Sequence, residues 1–372
     1  MKKALPKLLY ACPETDADLL YATRFFAPDA LLFIEQEGRR SIVLSDLEID
    51  RGRKEAKVDE VIAASGERKR LGITRNAPLA RFLGAILKSR RICRALVPEN
   101  FPLGLARDLA KEGIALVPCS GMFFPERELK TADELKLMRR ASQITEAGMA
   151  RGMEVLKASA PAARAGLSWS GRMLTAEILR AEIESAILRA GGVPANTIVA
   201  GGEQACDPHE RGRGPLAANS LIILDIFPRD ARSGYYGDLT RTVVRGQASD
   251  AQRELWELVK RGQSWALKEI KARAKGAAIE DGVKKLFKAA GFPAEEHEGR
   301  WRGMFHGLGH GLGLEVHEHL RMSRTTLKAG QVFTVEPGLY WPGLGGVRHE
   351  DVVAVTDQGC RLLSRFPKVL EI

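Results

Sequence analysis

The chain has 372 residues, 45% hydrophobic and 28% charged, and its 57 Lys and Arg against 47 Asp and Glu give a net charge of +10. That length exceeds one comfortable core and favours two domains; the composition is that of a soluble globular protein, and no run approaches 18 uninterrupted apolar residues, which excludes a transmembrane helix and a membrane partner. The basic excess lies in short clusters mixed with acids and lacking interleaved aromatics, "RGRK" at 51–54, "ERKR" at 67–70 and "KSRR" at 88–91, so it reads as a solvated surface with no nucleic-acid partner.

The opening "MKKALPKLLYACPETD" has a basic start but too short an apolar run for a signal peptide. Cys12, Cys93, Cys119, Cys206 and Cys360 are scattered, odd in number and free of any C-x-x-C pair. Reduced thiols in a cytoplasmic protein are the expectation. "ALLFIEQEGRRSIVLSD" predicts two strands around a Glu-Gly turn. Next come a helix in "LARFLGAILKSRR", a strand in "RALVPE", a helix in "LGLARDLAKEG" ending at Gly113, and a strand in "IALVP". These elements make an α/β module. The polar "FFPERELKT" at 123–131 marks a boundary.

Thr131 and Asp133 are candidate caps for the long amphipathic helix "ADELKLMRRASQITEAGMARGMEVLKAS". Further helices are expected in "MLTAEILRAEIESAILRAGG", closed by Gly191 and Gly192, near 250–273 and over 279–290. Strands are expected at 220–227, 235–245, 312–318, 331–336 and 346–356.

Carboxylates gather on these last strands. Asp225 ends an apolar run, Asp238 sits on the next strand, and Glu336 interrupts "FTVEPGLY" inside otherwise apolar text. An isolated buried carboxylate costs free energy unless it is paired or coordinated. Arg348, Glu350 and Asp351 precede another apolar run in "GVRHEDVVAV". The stretch "HGLGHGLGLEVHE", 306–318, adds His306, His310 and His317, with glycine at every second position from 307 to 313. Those glycines rule out a stable helix and point to extended or turning backbone that something approaches closely. Four carboxylates with an imidazole form an oxygen-rich donor set that suits Mn²⁺, Co²⁺, Fe²⁺ or Zn²⁺ in catalytic use. Their charge balances two divalent cations. Two metals about 3.5–4 Å apart acidify a water and polarise a carbonyl, which is amide hydrolysis.

The series Asp225, Asp238, His310, Glu336, Glu350, in the contexts "GDLTRT", "GLGHGLGLEVHE", "FTVEPGLY" and "GVRHED", resembles the metal ligands of the pita-bread (creatinase, aminopeptidase P and prolidase-like) dinuclear metallopeptidases. The landmarks span residue 130 to the end. The resemblance implies an α/β (α+β) chain with a creatinase-like N-terminal domain at 1–127 and a pita-bread catalytic domain at 128–372. It implies that Asp238 and Glu350 bridge two divalent metals, Mn²⁺ first and Co²⁺, Zn²⁺ or Fe²⁺ otherwise. Asp225 would complete one shell, and His310 and Glu336 the other, with Glu336 shuttling a proton. His209, in "CDPHERG", would contact substrate near the scissile bond, and His317 would donate toward the carbonyl or its oxyanion. His306 would support the pocket, and Arg348 would orient the bridging carboxylates or hydrogen-bond within the site. The implied substrate is a peptide with proline after the scissile bond, and the implied assembly a homodimer. Prolidase and aminopeptidase P both remain open. Arg321 resembles an arginine that holds a substrate carboxylate in some prolidases, which would favour dipeptides. Other hydrolase or lyase chemistry on the same fold, or a non-catalytic binding module, are the alternatives.

Asp225 and Asp238 stand thirteen apart where the family spaces them eleven apart, which places the extra residues in the turn "PRDARSG" and makes Asp230 a rival ligand. His319 and His349 should face away from the ligands. His297 reads as a solvated loop residue and Asp351 as a cap or pairing group.

Overall fold

Apolar residues crowd both faces of the first strands, because successive strand residues point to opposite sides. In the computed structural model, which describes residues 4–162 and 165–372, the chain divides into two units, Met1–Arg127 and Glu128–Ile372. The first holds β1 (Lys7–Ala11), α1 (Ala17–Thr23), β2 (Leu31–Gln36), β3 (Arg39–Leu44), α2 (Ile49–Glu55), β4 (Glu60–Ala63), α3 (Ala64–Arg70), α4 (Leu79–Ser89), β5 (Arg94–Val97), α5 (Leu103–Lys111) and β6 (Ala115–Pro118). They build one six-stranded sheet in the order β4-β3-β2-β1-β5-β6. Strands β1 to β3 run antiparallel, while β4, β5 and β6 join as parallel neighbours. Leu8, Leu32, Ile34 and Val43 pack with α4, and Leu9, Leu31, Phe33 and Ile42 with α1 on the other face. Glu37 (φ 53°) and Gly38 (φ 79°) form the two-residue turn between β2 and β3, whose double positive φ matches the twist of a hairpin.

The second unit repeats one plan: a helix pair, then antiparallel strands. Helix α6 (Ala132–Ala158) and α7 (Ala176–Arg189) precede strands Ile198–Gly201, Leu221–Ile226 and Leu239–Val244. Helix α8 (Asp250–Glu269) and α9 (Gly276–Ala289) precede strands Val332–Val335, Asp351–Val355 and Cys360–Leu362, with the hairpin Gly338–Trp341/Gly345–Arg348 between the first two. Ile144, Met149, Leu179 and Ile183 pack on Ile222, Leu224 and Val243. Leu255, Val259, Ile279 and Val283 pack on Phe333, Val335 and Val353.

Polar bonds tie the two halves together. The Glu350 N–H donates to Thr240 O at 3.1 Å. The Thr242 hydroxyl donates to Arg348 O and accepts from Arg348 N–H, both at 3.0 Å. From α8, the Gln263 amide donates to Val335 O at 2.9 Å and His349 O at 3.1 Å, securing both acid-bearing strands of the second half.

Several expectations need correction. Residues 312–318 form bends over 313–317 rather than a strand, and the isolated bridges of His310 and Gly311 lie just before them. The run 346–356 is two strands that break at His349 and Glu350, and Glu336 lies just after its strand rather than inside it. Helix α8 stops at Glu269 and α9 starts at Gly276. Thr131 caps α6 through a reciprocal box with Glu134, whereas Asp133 pairs with the exposed Lys136. No described helix is long and apolar enough to cross a membrane.

Thr131→Ala removes the acceptor for Glu134 N–H and leaves the first turn of α6 short of a partner. The expected cost is about 1 kcal/mol, read as a lower urea midpoint at unchanged slope. An unmoved midpoint would reject the capping role.

Candidate metal and catalytic site

Five acceptor side chains converge from five places in the second unit. Asp225 comes from strand Leu221–Ile226, and Asp238 directly precedes the neighbouring strand Leu239–Val244. Glu336 follows strand Val332–Val335, and Glu350 occupies the break before Asp351–Val355. His310 arrives on the glycine-rich loop, whose backbone pairs with the Glu336 strand: His310 N–H donates to the Thr334 hydroxyl at 3.0 Å, and Thr334 N–H to His310 O at 2.9 Å. Gly309 permits that approach, since a Cβ there would stand 2.0 Å from Thr334 O.

One ligand atom each from Asp238, His310 and Glu350 lies within 4.8 Å of the others. His310 Nε2 is 3.3 Å from Glu336 Oε1 and 3.9 Å from Asp238 Oδ2. The His310 Nδ1 lies 3.2 Å from Gly311 O, which assigns the proton to Nδ1 and leaves a lone pair on Nε2 facing carboxylate oxygens. Acceptors aimed at acceptors repel unless a proton or a cation stands between them. Asp225 adds a buried Oδ1 with no hydrogen-bond partner. The oxygen-and-imidazole donor set, the orphaned oxygen and the inward lone pair all fit divalent metal ions of the borderline-hard kind.

Electrostatics state the same deficit. Burial, with Asp225 and Glu336 nearby, raises the Asp238 carboxyl well above its usual range. Burial and Asp238 do the same to Glu350. Burial lifts Glu336 to about 7, with Arg348 opposing the rise. Burial, with His317 alongside, lowers His310 to about 3, which keeps its imidazole neutral. Arg348 is the buried cation among the described residues lining this cavity.

Arg348 does not reach the two bridging candidates through charge pairing. Its Nη2 binds Asp225 Oδ2 at 2.7 Å, and its Nη1 donates to the Tyr340 hydroxyl at 2.8 Å. Tyr340 in turn lies 2.9 Å from His306 Nε2, while His306 Nδ1 lies 2.8 Å from Gly307 O. The relay is self-consistent: Nδ1–H donates to the carbonyl, and the Tyr340 O–H donates to Nε2. Burial lowers His306 to about 4 and raises Tyr340 to about 12, so both stay neutral.

His209, His317 and Arg321 are exposed and line the same cavity of about 530 Å³, beside Phe227, Phe305 and Val316. The His317 ring meets that of His310 edge-on at 4.4 Å. Arg321 Nη1 donates to Glu318 O at 2.8 Å. Asp230 is held away, accepting from the Ser233 hydroxyl and Arg232 N–H inside its own turn. Asp351 pairs with Arg241 and Lys368. His349 packs edge-on against Trp256, with neither ring nitrogen partnered. His297 and His319 are exposed and do not line the cavity.

Three positioning hydroxyls escaped the sequence reading. Thr240 donates to Glu350 at 2.7 Å, Thr334 donates to Glu336 at 3.1 Å, and Tyr340 joins Arg348 to His306. The motifs "GDLTRT" and "FTVEPGLY" contained all three; for Thr240 and Thr334 the place two residues from an acid was the available signal, and Tyr340 had none.

The raised Glu336 carboxyl sets a testable pH sign. Folded metal-free protein holds this proton up to about 7, whereas the ordinary value is 4.5. The stability linked to it is therefore full below the lower value and falls as pH rises through that window. Urea unfolding in chelator at pH 5 and pH 7.5 should show wild type losing on the order of 2 kcal/mol relative to Glu336→Gln. Parallel pH dependences would sink this reading of Glu336.

The chain is similar to several known proteins. A Xaa-Pro dipeptidase of Pyrococcus furiosus is 29% identical over 248 residues, 66% of this chain and 65% of that protein, so the likeness spans just under two thirds of the relative. The structure of an X-Pro aminopeptidase from Thermotoga maritima matches with a TM-score of 0.82 at 24% identity, covering 99% of this chain and 97% of that one. A Xaa-Pro dipeptidase structure from Bacillus anthracis also reaches 0.82, at 23% identity over 99% and 95% of the two chains. Both likenesses establish the two-part pita-bread fold. Residues 136–357, more than half of the chain, match metallopeptidase family M24, and the chain belongs to that family.

Proposed function

We propose that this chain is a metal-dependent exopeptidase hydrolysing Xaa-Pro bonds, either splitting dipeptides or releasing the first residue of longer peptides. The observation that carries the proposal is the convergence of five desolvated acceptors beside two exposed histidines in one cavity. Proline as the residue after the scissile bond is supported by the names of the Pyrococcus, Thermotoga and Bacillus relatives.

In this reading Asp225, Asp238, His310, Glu336 and Glu350 would together hold two divalent cations. Mn²⁺ is the proposed native ion, with Co²⁺, Zn²⁺ or Fe²⁺ as substitutes. Bound there, the ions supply a water with a pKa of about 7 and polarise the scissile carbonyl. Glu336 takes the proton from the attacking water and returns it to the departing proline nitrogen. His317 donates to the oxyanion, and His209 contacts the substrate beside the scissile bond. Arg348 fixes Asp225, and through Tyr340 it fixes His306 at the cavity wall. Arg321 receives the carboxylate of a dipeptide, with its Nη1 already anchored to backbone. A cytoplasmic homodimer is the proposed setting, and the five free cysteines support the reducing compartment.

Metal-stripped enzyme reloaded with Mn²⁺, Co²⁺ or Zn²⁺ should cleave Ala-Pro or Ala-Pro-Ala. Cleavage of the dipeptide alone, weakened selectively by Arg321→Ala, marks a prolidase; preference for the tripeptide marks an aminopeptidase P. No cleavage of either with metal bound removes the proline assignment. Asp238→Ala and Glu350→Ala should lose activity and metal together, since each would hold metal in the cluster with His310. His317→Ala should keep its metal by elemental analysis and lose about 10²–10³-fold in kcat. Metal loss in that variant would place His317 in the coordination shell instead.

A further inference from the structure

A buried ion pair lies behind the loop that presents His317. Lys130 Nζ contacts Glu318 Oε2 at 2.6 Å, and the two side chains are 3% and 4% exposed. Two charges withdrawn from water this far are costly, and apolar residues of similar volume would commonly serve stability as well. The surroundings of Glu318 show what the pair gives in return. Its backbone N–H donates to Gly311 O at 2.9 Å, and its Oε1 accepts from Leu314 N–H at 3.2 Å. One residue thus closes the bend from 311 to 318 through both backbone and side chain. A Cβ on Gly313 would stand 2.2 Å from that same Oε1, so the absent side chain there makes the seat for the carboxylate. Lys130 is itself fixed, its N–H donating to Gly330 O at 2.8 Å just before α6. His317 is the residue next to Glu318 and is exposed, with its ring edge-on to His310 at 4.4 Å.

We infer that Lys130 and Glu318 are positioning residues for hydrolysis: the pair anchors the closed 311–318 bend and thereby sets where His317 stands beside the metal-ligand cluster. Neither side chain lines the cavity. The inference rests on the proposed role of His317 and is tested apart from it. The ion pair acts on kcat rather than on substrate affinity, because the interaction His317 makes is one that strengthens in the transition state.

Three variants of the full, metal-loaded chain decide the matter. Lys130→Met/Glu318→Leu replaces both charges with apolar volume and removes the tether. Gly313→Ala keeps both charges and pushes the Glu318 carboxylate off its seat; Gly313 does not have a positive φ, and the group that must yield is the end of a flexible side chain. His317→Ala supplies the reference. Both tether variants should retain metal content and a cooperative thermal transition, lose about 10²-fold in kcat, as misplacement by about 1 Å does, and keep KM near wild type. Adding His317→Ala to either should cost no more than His317→Ala alone, because the loss runs through one group. Wild-type kcat in a folded tether variant would overturn the inference, as would losses that multiply with that of His317→Ala. Should the double variant fail to fold, Gly313→Ala decides alone by the same readouts. Wild-type turnover in His317→Ala itself would overturn the role of His317 in the proposed function instead, a result the tether variants do not produce.

Discussion

Desolvated negative charge without matching positive charge is the constraint on which the second unit depends. Asp225, Asp238 and Glu350 are buried, Glu336 is nearly so, and among the described residues Arg348 is the buried guanidinium that lines the same cavity. Left alone, such a cluster resolves itself by protonation, which is the meaning of carboxyls raised above their usual range. Divalent cations resolve it the other way and couple site occupancy to stability. The donors must therefore be held against their own repulsion before any ion arrives. Strand register and backbone bonds across the two halves provide that restraint, and a loop-borne cluster of the same composition would spread apart.

Adjacent acids show how the fold separates charge that holds from charge that acts. Asp351 and Glu350 are neighbours, both buried, and both carboxylates. Asp351 receives Arg241 at 2.8 Å, Lys368 at 2.6 Å, and the Ser364 hydroxyl and Gln263 amide besides. Glu350 receives a single neutral hydroxyl from Thr240 and faces Asp238. Arg241 joins the two faces, since it also donates to Glu350 O at 2.7 Å and Thr240 O at 2.9 Å. Through Phe366 O and Pro367 O it fastens the C-terminal segment behind the site. The satisfied acid braces the unsatisfied one. What distinguishes them is the count of donors each meets, a property that no single-letter code contains.

That distinction also explains what could be read in advance. The four carboxylates were legible because each stands beside apolar text at a strand end, where a carboxylate needs a reason, and His310 because glycines flank it on both sides in "HGLGHGLGL". The thirteen-residue spacing of Asp225 and Asp238 was legible as a longer turn, and the structure uses it for a two-residue pairing of Arg229–Asp230 with Gly192–Val193. Tyr340 was hidden because "GLYW" is ordinary strand text; its hydroxyl gains meaning only when the hairpin register sets Gly338 opposite Arg348. The stretch 312–318 misled through its alternating Leu312, Leu314 and Val316, a true period of two. Glu318 folds back onto Gly311 and Leu314 and overrides that period. Local pattern lost to a contact with Lys130, 188 residues earlier in the chain.

The triplet Arg348, His349, Glu350 puts the same logic on one pleat. Arg348 and Glu350 line the cavity, and His349 between them must point the other way. It does so into a core position at 0% exposure, against the Trp256 ring, with both nitrogens unpartnered. Burial lowers its pKa well below the ordinary value, so the ring stays neutral. A buried ring without hydrogen bonds costs stability, and its edge-on contact with Trp256 offsets only part of that cost. The expense is tolerable because the position of the strand is fixed from elsewhere: Gln263 takes the His349 carbonyl, Thr242 holds Arg348 by both backbone groups, and Thr240 holds the Glu350 N–H. The backbone of this triplet is thus determined independently of its middle side chain. The neighbours that face the cavity can then be chosen for chemistry alone.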